Sequence, residues 1–107
     1  MRTFESGATR DSDDDKLDFE GFLSPLVIEC YAEYMHHHRK QADGALRPSD
    51  NWQKGMSKTV YAKSLWRHFF DWWKEHRGYP SREGIIYALC GVLFNASGYL
   101  HEILKER

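Results

Sequence analysis

Apolar residues recur along this chain with helical spacing, and no segment shows the strict alternation that is typical of a strand. The first predicted helix runs from Pro25 to about Lys40, with Ser24 as its N-cap and the proline at its first position. Its apolar residues share one broad face, and its polar residues gather on a narrower arc. The arc carries Glu29, Glu33, His36, His37 and Lys40.

A loop is predicted at residues 41–57, because the turn residues Asp43-Gly44 interrupt the helical pattern. The second helix follows, from Ser57 or Lys58 to about His76. Its apolar residues form an arc that is rich in aromatic side chains. The arc consists of Ala62, Leu65, Trp66, Phe69, Phe70, Trp72 and Trp73.

The third helix is predicted from Arg82 to about Lys105, with Ser81 as its N-cap, and it is apolar on every side from Ile85 to Leu100. A protomer of three helices cannot cover such a segment fully, so we expect other copies of the chain to help cover it. Small residues would let a neighbouring helix approach closely. They are Ala88, Gly91 and Gly98. The predicted fold is all-α, a three-helix antiparallel protomer that assembles into a helical-bundle homo-oligomer through Ile85–Leu100.

The charge of the 107-residue chain is unevenly distributed, although its formal net value is −1. Residues 1–20 contain seven acidic and three basic residues, a net charge of −4, so the remainder carries +3. We therefore predict a flexible acidic N-terminal arm at residues 1–16 and a single all-α domain at 17–107. The near-neutral total argues against nucleic-acid polymers as partners, because binding them requires a basic surface.

The expected location is the cytoplasm. Cys30 and Cys90 both lie in apolar runs and are typical of small core residues in a reducing compartment. The N-terminus has no apolar stretch that would indicate a secretory signal. Residues 85–100 lack formal charge but number fewer than the ~20 residues that a membrane span requires, so no membrane partner is expected.

Acidic residues on the helices are the first candidates for chemistry. Glu29 and Glu33 are four residues apart on one helix face, where two carboxylates can share Mg²⁺ or Mn²⁺. The alternative is an ordinary solvated face. His68 and Asp71 share a face of the second helix, although a buried, hydrogen-bonded histidine is the commoner outcome beside an aromatic stripe. The run His36–His38 does not predict a zinc site, because consecutive helical residues point about 100° apart.

The loop segment Asn51–Gly55 combines an aromatic plate, a lysine and a glycine next to a helix start. Trp52 could stack on a base, while Lys54 and backbone N–H groups could hold phosphate. Lys63 and Arg67, on the following helix, could neutralise further phosphates. Alternatively, Trp52 covers the core beneath the loop.

The same loop, followed by Arg67–Trp73, resembles the phage and bacterial dATP/dGTP diphosphohydrolase family. In that family an Asn-Trp-x-x-Gly segment precedes an Arg-His-x-x-x-Trp-Trp helix, and Asn95 matches an asparagine of its last helix. The resemblance covers about residues 17–104. The family is similar to the all-α MazG-like pyrophosphohydrolases, which form helical oligomers. They cleave nucleoside triphosphates between the α- and β-phosphates with Mg²⁺ or Mn²⁺.

The resemblance implies a site built from polar residues of the first two predicted helices and of the loop between them. It implies catalytic roles for Glu29, Glu33, His68 and Asp71. It implies metal binding by Glu29, Glu33 and Asp71. It also implies nucleotide binding by Asn51, Trp52, Lys54, Lys63 and Arg67.

The last helix departs from the family pattern, because Glu83 alone stands at its start where relatives carry several acidic or histidine residues. Three functions therefore stay open. The first is a phage-type nucleotide-binding enzyme that converts dNTP to dNMP and pyrophosphate, with Mg²⁺ or Mn²⁺ as cofactor, in the host cytoplasm. The second is a non-catalytic protein that sequesters a nucleotide, for example a host defence signalling nucleotide. The third is an oligomeric structural or interaction protein that has lost the site.

Overall fold

A computed structural model describes residues 2–12 and 14–107 and is mainly helical, which confirms the all-α prediction at that level. Met1 and Asp13, both in the predicted acidic arm, lie outside the described residues. The elements are β1 (Arg2–Thr3), β2 (Thr9–Arg10), α1 (Phe19–Phe22), α2 (Pro25–His37), a 3-10 turn (Asn51–Lys54), α3 (Lys58–His76) and α4 (Gly84–Lys105).

The two long helices that begin at serine caps start where the sequence predicts. The Ser24 hydroxyl accepts a hydrogen bond from the backbone N–H of Val27 at 3.3 Å, and Ser57 accepts one from Val60 at the same distance. Each serine satisfies one of the N–H groups that a helix start leaves without an intrahelical partner. The second helix runs from Lys58 to His76, as the sequence predicts.

The first predicted helix ends earlier than expected, at His37 rather than about Lys40. Residues 39–47 instead fold back as a small antiparallel hairpin, in which the N–H of Arg47 donates to the carbonyl of Arg39 at 2.8 Å. Gly44 turns the chain with a φ of +87°, a conformation that favours glycine. We call this segment the 39–47 hairpin.

The acidic arm contains a short antiparallel pair, β1 with β2, where the sequence pattern predicts no strand. The pair closes around Gly7, whose φ is +87°, and the N–H of Phe4 donates to the carbonyl of Ala8 at 2.9 Å. Two residues per strand are too few for alternation to be visible in the sequence, which explains the difference.

The core lies between α3 and α4, and the small residues of α4 make it possible. Gly91 faces the ring of His68 and Gly98 faces the ring of Tyr61 so closely that a Cβ at either position would clash. Ala88 is fully buried on the same side of α4. The close approach that the small residues predicted is therefore made by α3 of the same chain.

The helix α2 packs on another side of α4 through sulfur and aromatic contacts. The Sγ atoms of Cys30 and Cys90 are 3.9 Å apart, and the rings of Tyr34 and Tyr87 meet edge to face with centroids 5.3 Å apart. Burial, followed by the contact with Cys30, raises the pKa of the Cys90 thiol to about 11. Both cysteines are free thiols.

The last helix begins at Gly84, two residues later than predicted, and its N-cap is Glu83 rather than the predicted Ser81. The Ser81 hydroxyl accepts from the N–H of Gly84 at 2.9 Å, while the Glu75 carboxylate accepts from the N–H of Ser81 at 2.9 Å. Among the described residues, α4 is the one helix with the length and composition to cross a membrane, and 28% of its most apolar window is buried inside the molecule.

Candidate functional site

A groove of about 680 Å³ lies where the end of α2, the 39–47 hairpin, the 3-10 turn, α3 and α4 meet. The lining described in the structure contains three formally positive side chains and no acidic one. The positive side chains are Arg39, Lys40 and Arg47. A cleft lined by one sign of charge concentrates ligands of the opposite sign, so the groove favours anions.

The hairpin holds two of these cations in place through backbone carbonyls. The Nε atom of Arg39 donates to the carbonyl of Arg47 at 2.8 Å, and Nη1 of Arg47 donates to the carbonyl of His38 at 3.2 Å. Each guanidinium has five N–H groups, so further donors remain for a ligand. Lys40 is exposed at the groove and pairs through its backbone with Leu46.

Imidazole and phenol groups extend this wall of the groove. His37, His38 and Tyr34 line it together, and the Nδ1–H of His38 donates to the carbonyl of Tyr34 at 2.8 Å. Burial, assisted by the charge of Glu83, raises the pKa of Tyr34 to about 12, so its hydroxyl stays protonated at neutral pH. Every group on this wall can therefore donate a hydrogen bond or carry a proton.

The groove lining also contains aromatic and amide side chains. Trp52 is half-buried, with its ring centroid 4.9 Å from that of His101 and 6.4 Å from that of Phe94. Asn51 and Asn95 also line the groove, and Nδ2 of Asn95 donates to the carbonyl of Gly91 at 2.7 Å. Trp52 thus packs against α4 and borders the groove as well, so it combines features of both alternatives raised by the sequence.

His68, which lines the groove, joins Asp71 and Glu83 in a group whose candidate ligand atoms all lie within 4.8 Å of one another. The Nδ1–H of His68 donates to Oε1 of Glu83 at 2.6 Å, so a cation shared by all three residues would take the place of this proton. One imidazole and two carboxylates form a donor set that suits Mn²⁺ and related divalent ions.

Arg82 already neutralises part of this group. Its Nε donates to Oδ2 of Asp71 at 2.7 Å, and the Asp71 side chain is only 6% exposed. Burial opposes ionisation of Asp71, but the hydrogen bond and the positive charge of Arg82 outweigh it and hold the pKa of Asp71 below its usual value. Each carboxylate keeps a second oxygen for a cation, so the residues present fit a divalent metal.

The predicted catalytic residues divide into two sets. His68 and Asp71 belong to the candidate metal-binding group formed with Glu83, whereas Glu29 and Glu33 are exposed on α2 and lie outside it. The side of α2 that contacts α4 carries Cys30 and Tyr34 instead.

The predicted nucleotide-binding residues divide in the same way. Asn51 and Trp52 line the groove, but Lys54, Lys63 and Arg67 are exposed outside its lining. Arg67 borders a separate, more open depression of about 530 Å³. Of the cations that do line the groove, Arg39 and Lys40 come from the end of the first predicted helix and Arg47 comes from the predicted loop.

Two further features escaped the site prediction, although each has a signal in the sequence. Asp43-Gly44 is a typical hairpin turn, and it brings Arg39 and Arg47 together from the two sides. Glu83 stands alone at the predicted start of the last helix, and its partner His68 lies 15 residues earlier. Spacing along a single helix cannot reveal a group that two helices build together.

A scan against protein-family models, a search of curated proteins and a search of solved structures each found no match to this chain.

Proposed function

We propose that this protein binds a nucleoside triphosphate in the groove. The observation that carries the proposal is the composition of the lining, which combines cations and imidazoles with a half-buried tryptophan and two asparagines. A nucleotide presents the matching chemistry, with a polyanionic chain at one end and a flat, hydrogen-bonding base at the other. The resemblance to dATP/dGTP diphosphohydrolases supports a purine deoxynucleotide as the first ligand to test.

In this arrangement the phosphate chain lies against the 39–47 hairpin. Arg39 and Arg47 supply guanidinium donors, which match phosphate oxygens in geometry, and Lys40 adds a mobile positive charge. The base lies towards Trp52, where stacking contributes about 1–3 kcal/mol in comparable single-stranded nucleic-acid sites. Asn51 and Asn95 are the side chains with donors and acceptors for the base edge.

The contribution of the groove's cations to nucleotide affinity is tested by reversing the charge of one of them. Lys40→Glu places an acid in the lining without removing either arginine that holds the hairpin, so the Kd for dATP rises by about tenfold or more in low-salt calorimetry. Lys54→Glu is the matched control, since it makes the same charge change outside the groove, and it leaves the Kd within a small factor of wild type. A wild-type protein that binds neither dATP nor dGTP contradicts the proposal.

The second candidate function is hydrolysis of the bound triphosphate to a monophosphate and pyrophosphate. The specific observation in its favour is that His68 belongs both to the groove lining and to the group with Asp71 and Glu83. A divalent cation held by these three residues would supply charge neutralisation and Lewis-acid activation at the phosphates. Arg82 would keep the acidic group partly neutralised when no cation is bound.

Pyrophosphate release with Mn²⁺ tests this second function. Glu83→Gln removes a charge from the group, and turnover is expected to fall by about 10²-fold or more, as for a lost electrostatic contact to a reacting group. The double variant Glu29→Gln and Glu33→Gln is the control, because both residues are exposed on α2. Loss of turnover in the double variant with retention in Glu83→Gln would contradict this assignment and favour the ligands implied by the resemblance. Nucleotide binding without pyrophosphate release would contradict the hydrolytic function and support the non-catalytic, nucleotide-sequestering one.

A further inference from the structure

The chain exposes more surface than a folded monomer of its size. Its accessible surface is 8711 Å² and its mass is 12.6 kDa, whereas the surface-to-mass relation for monomeric proteins gives roughly 6,200 Å². The radius of gyration is 19.0 Å, against about 13 Å for a compact chain of this length. The exposed arm accounts for part of the difference, and many large apolar side chains of the helices are exposed as well.

The most regular apolar surface lies on α4, on the side turned away from the residues that pack against α3. It is a stripe of five aliphatic residues whose side chains lie on one face of the helix. The residues of this outer stripe are Ile86, Leu89, Leu93, Leu100 and Leu104, and they are 42–60% exposed. Their spacing of three, four, seven and four residues is that of a seam between two helices.

The aromatic side of α3 is also exposed, but cations already cover part of it. Lys74 lies over the ring of Phe70 with Nζ 6.0 Å from the centroid, and Arg77 lies over Trp73 at 5.9 Å. The outer stripe of α4 has no charged residue beside it between Gly84 and Leu100. A second apolar surface therefore fits the α4 stripe better than it fits α3.

We infer that two copies of this chain pair through the outer stripe of α4. The stripe spans the 19 residues from Ile86 to Leu104, about 27 Å of helix, and presents the same surface in each copy, as a twofold interface requires. A standard interface covers about 800 Å² on each partner, which is well within the excess surface of this chain. The pairing leaves α3, the metal-binding group and the groove of each copy on the other sides of α4.

A lipid bilayer fits this surface less well. The opposite side of α4 carries the buried polar residue Asn95 and packs against His68 and Tyr61 of α3. If α4 spanned a membrane, these polar neighbours would have to enter the bilayer as well, which is energetically costly. The inference does not depend on nucleotide binding, because the stripe shares no residue with the groove lining.

Light scattering on the wild-type chain across a hundredfold range of concentration tests the inference. The expected mass is twice that of one chain at the upper end, and the midpoint of urea unfolding rises with protein concentration, as mass action requires for a folded dimer. A monomer mass throughout, with a midpoint independent of concentration, would overturn it. Flotation of that monomer with neutral phosphatidylcholine vesicles would assign the stripe to a bilayer instead.

Charge insertion locates the interface. Leu93→Glu places a carboxylate in the middle of the stripe, and the expected result is a shift of the dissociation constant by at least about a hundredfold, since an unpaired buried charge is strongly disfavoured. Leu26→Glu is the matched control on α2, where the native leucine is 82% exposed, and it stays dimeric. A dimer that resists Leu93→Glu but dissociates with Leu26→Glu would overturn the location. If Leu93→Glu also loses helical circular dichroism, the wild-type concentration dependence decides.

Discussion

Replacing Gly91 with alanine is expected to damage the metal-binding group without any change to its ligands. A Cβ at this position would overlap Cγ, Nδ1 and Cδ2 of the His68 ring, which contacts Glu83 through the same Nδ1. Because α3 and α4 pack closely here, the ring has to move. Gly98→Ala is the matched control, since its Cβ overlaps the ring of Tyr61 in the same helix interface but away from the group.

The two variants have similar energetic consequences for folding. Overpacking of a tight interface costs about 1–3 kcal/mol, and replacement of a helical glycine by alanine returns about 1 kcal/mol. A net loss of roughly 0–2 kcal/mol is therefore expected in both, measured by urea unfolding followed by circular dichroism. The affinity for Mn²⁺ separates them, because disturbed orientation of a ligand typically weakens metal binding by about 10–100-fold.

Calorimetric titration of Mn²⁺ into the two variants and the wild type measures this difference. The expected order is strong binding for wild type, nearly equal binding for Gly98→Ala and much weaker binding for Gly91→Ala. Equal Mn²⁺ affinity in the two variants, at comparable loss of stability, would refute the reasoning that His68 is a ligand.

Three further outcomes follow from named groups. The pKa of Cys90 is raised by burial to about 11, above its ordinary value of 9.0, so its contribution to stability is complete below pH 9 and is lost as pH rises towards 11. That loss amounts to at most roughly 2–3 kcal/mol. Urea unfolding at several pH values should show that the unfolding free energy of Cys90→Ser falls less steeply with rising pH than that of the wild type. An identical pH dependence in the two proteins would contradict this expectation. Arg82→Ala leaves the buried Asp71 without its cation, and since Arg82 is itself largely exposed we expect a loss of only about 1–2 kcal/mol, which added Mn²⁺ should restore. Ser57→Ala removes the cap of α3 and should lower the unfolding free energy by about 1 kcal/mol, whereas no change would show that the cap is dispensable.

The helices were predictable because their local signals agree with their packing. Ser57 caps α3 where the apolar arc begins, and Ser24 with its following proline does the same for α2. The end of α2 was not predictable in this way, because Asp43-Gly44 favours a hairpin over continuation of an otherwise helical pattern to Lys40. A local turn preference prevailed there over periodicity.

The candidate site was predictable only where one element supplies it. His68 and Asp71 share a helix face, and Asn51 and Trp52 share a turn, so their spacing brings each pair together. The partner Glu83 comes from another segment, and the choice between it and the exposed carboxylates of α2 depends on which helix faces meet. That choice is made by tertiary packing, here the close approach of α3 to α4 at Gly91.

The central claim, that a nucleotide binds with its phosphates on the 39–47 hairpin and its base near Trp52, is tested most directly by amide chemical-shift mapping. Titration of dATP into the isotope-labelled protein is predicted to shift the backbone amides of residues 37–40 and 47 together with those of Asn51 and Trp52. Shifts confined to Lys63 and Arg67, or no shift at saturating dATP, would contradict it.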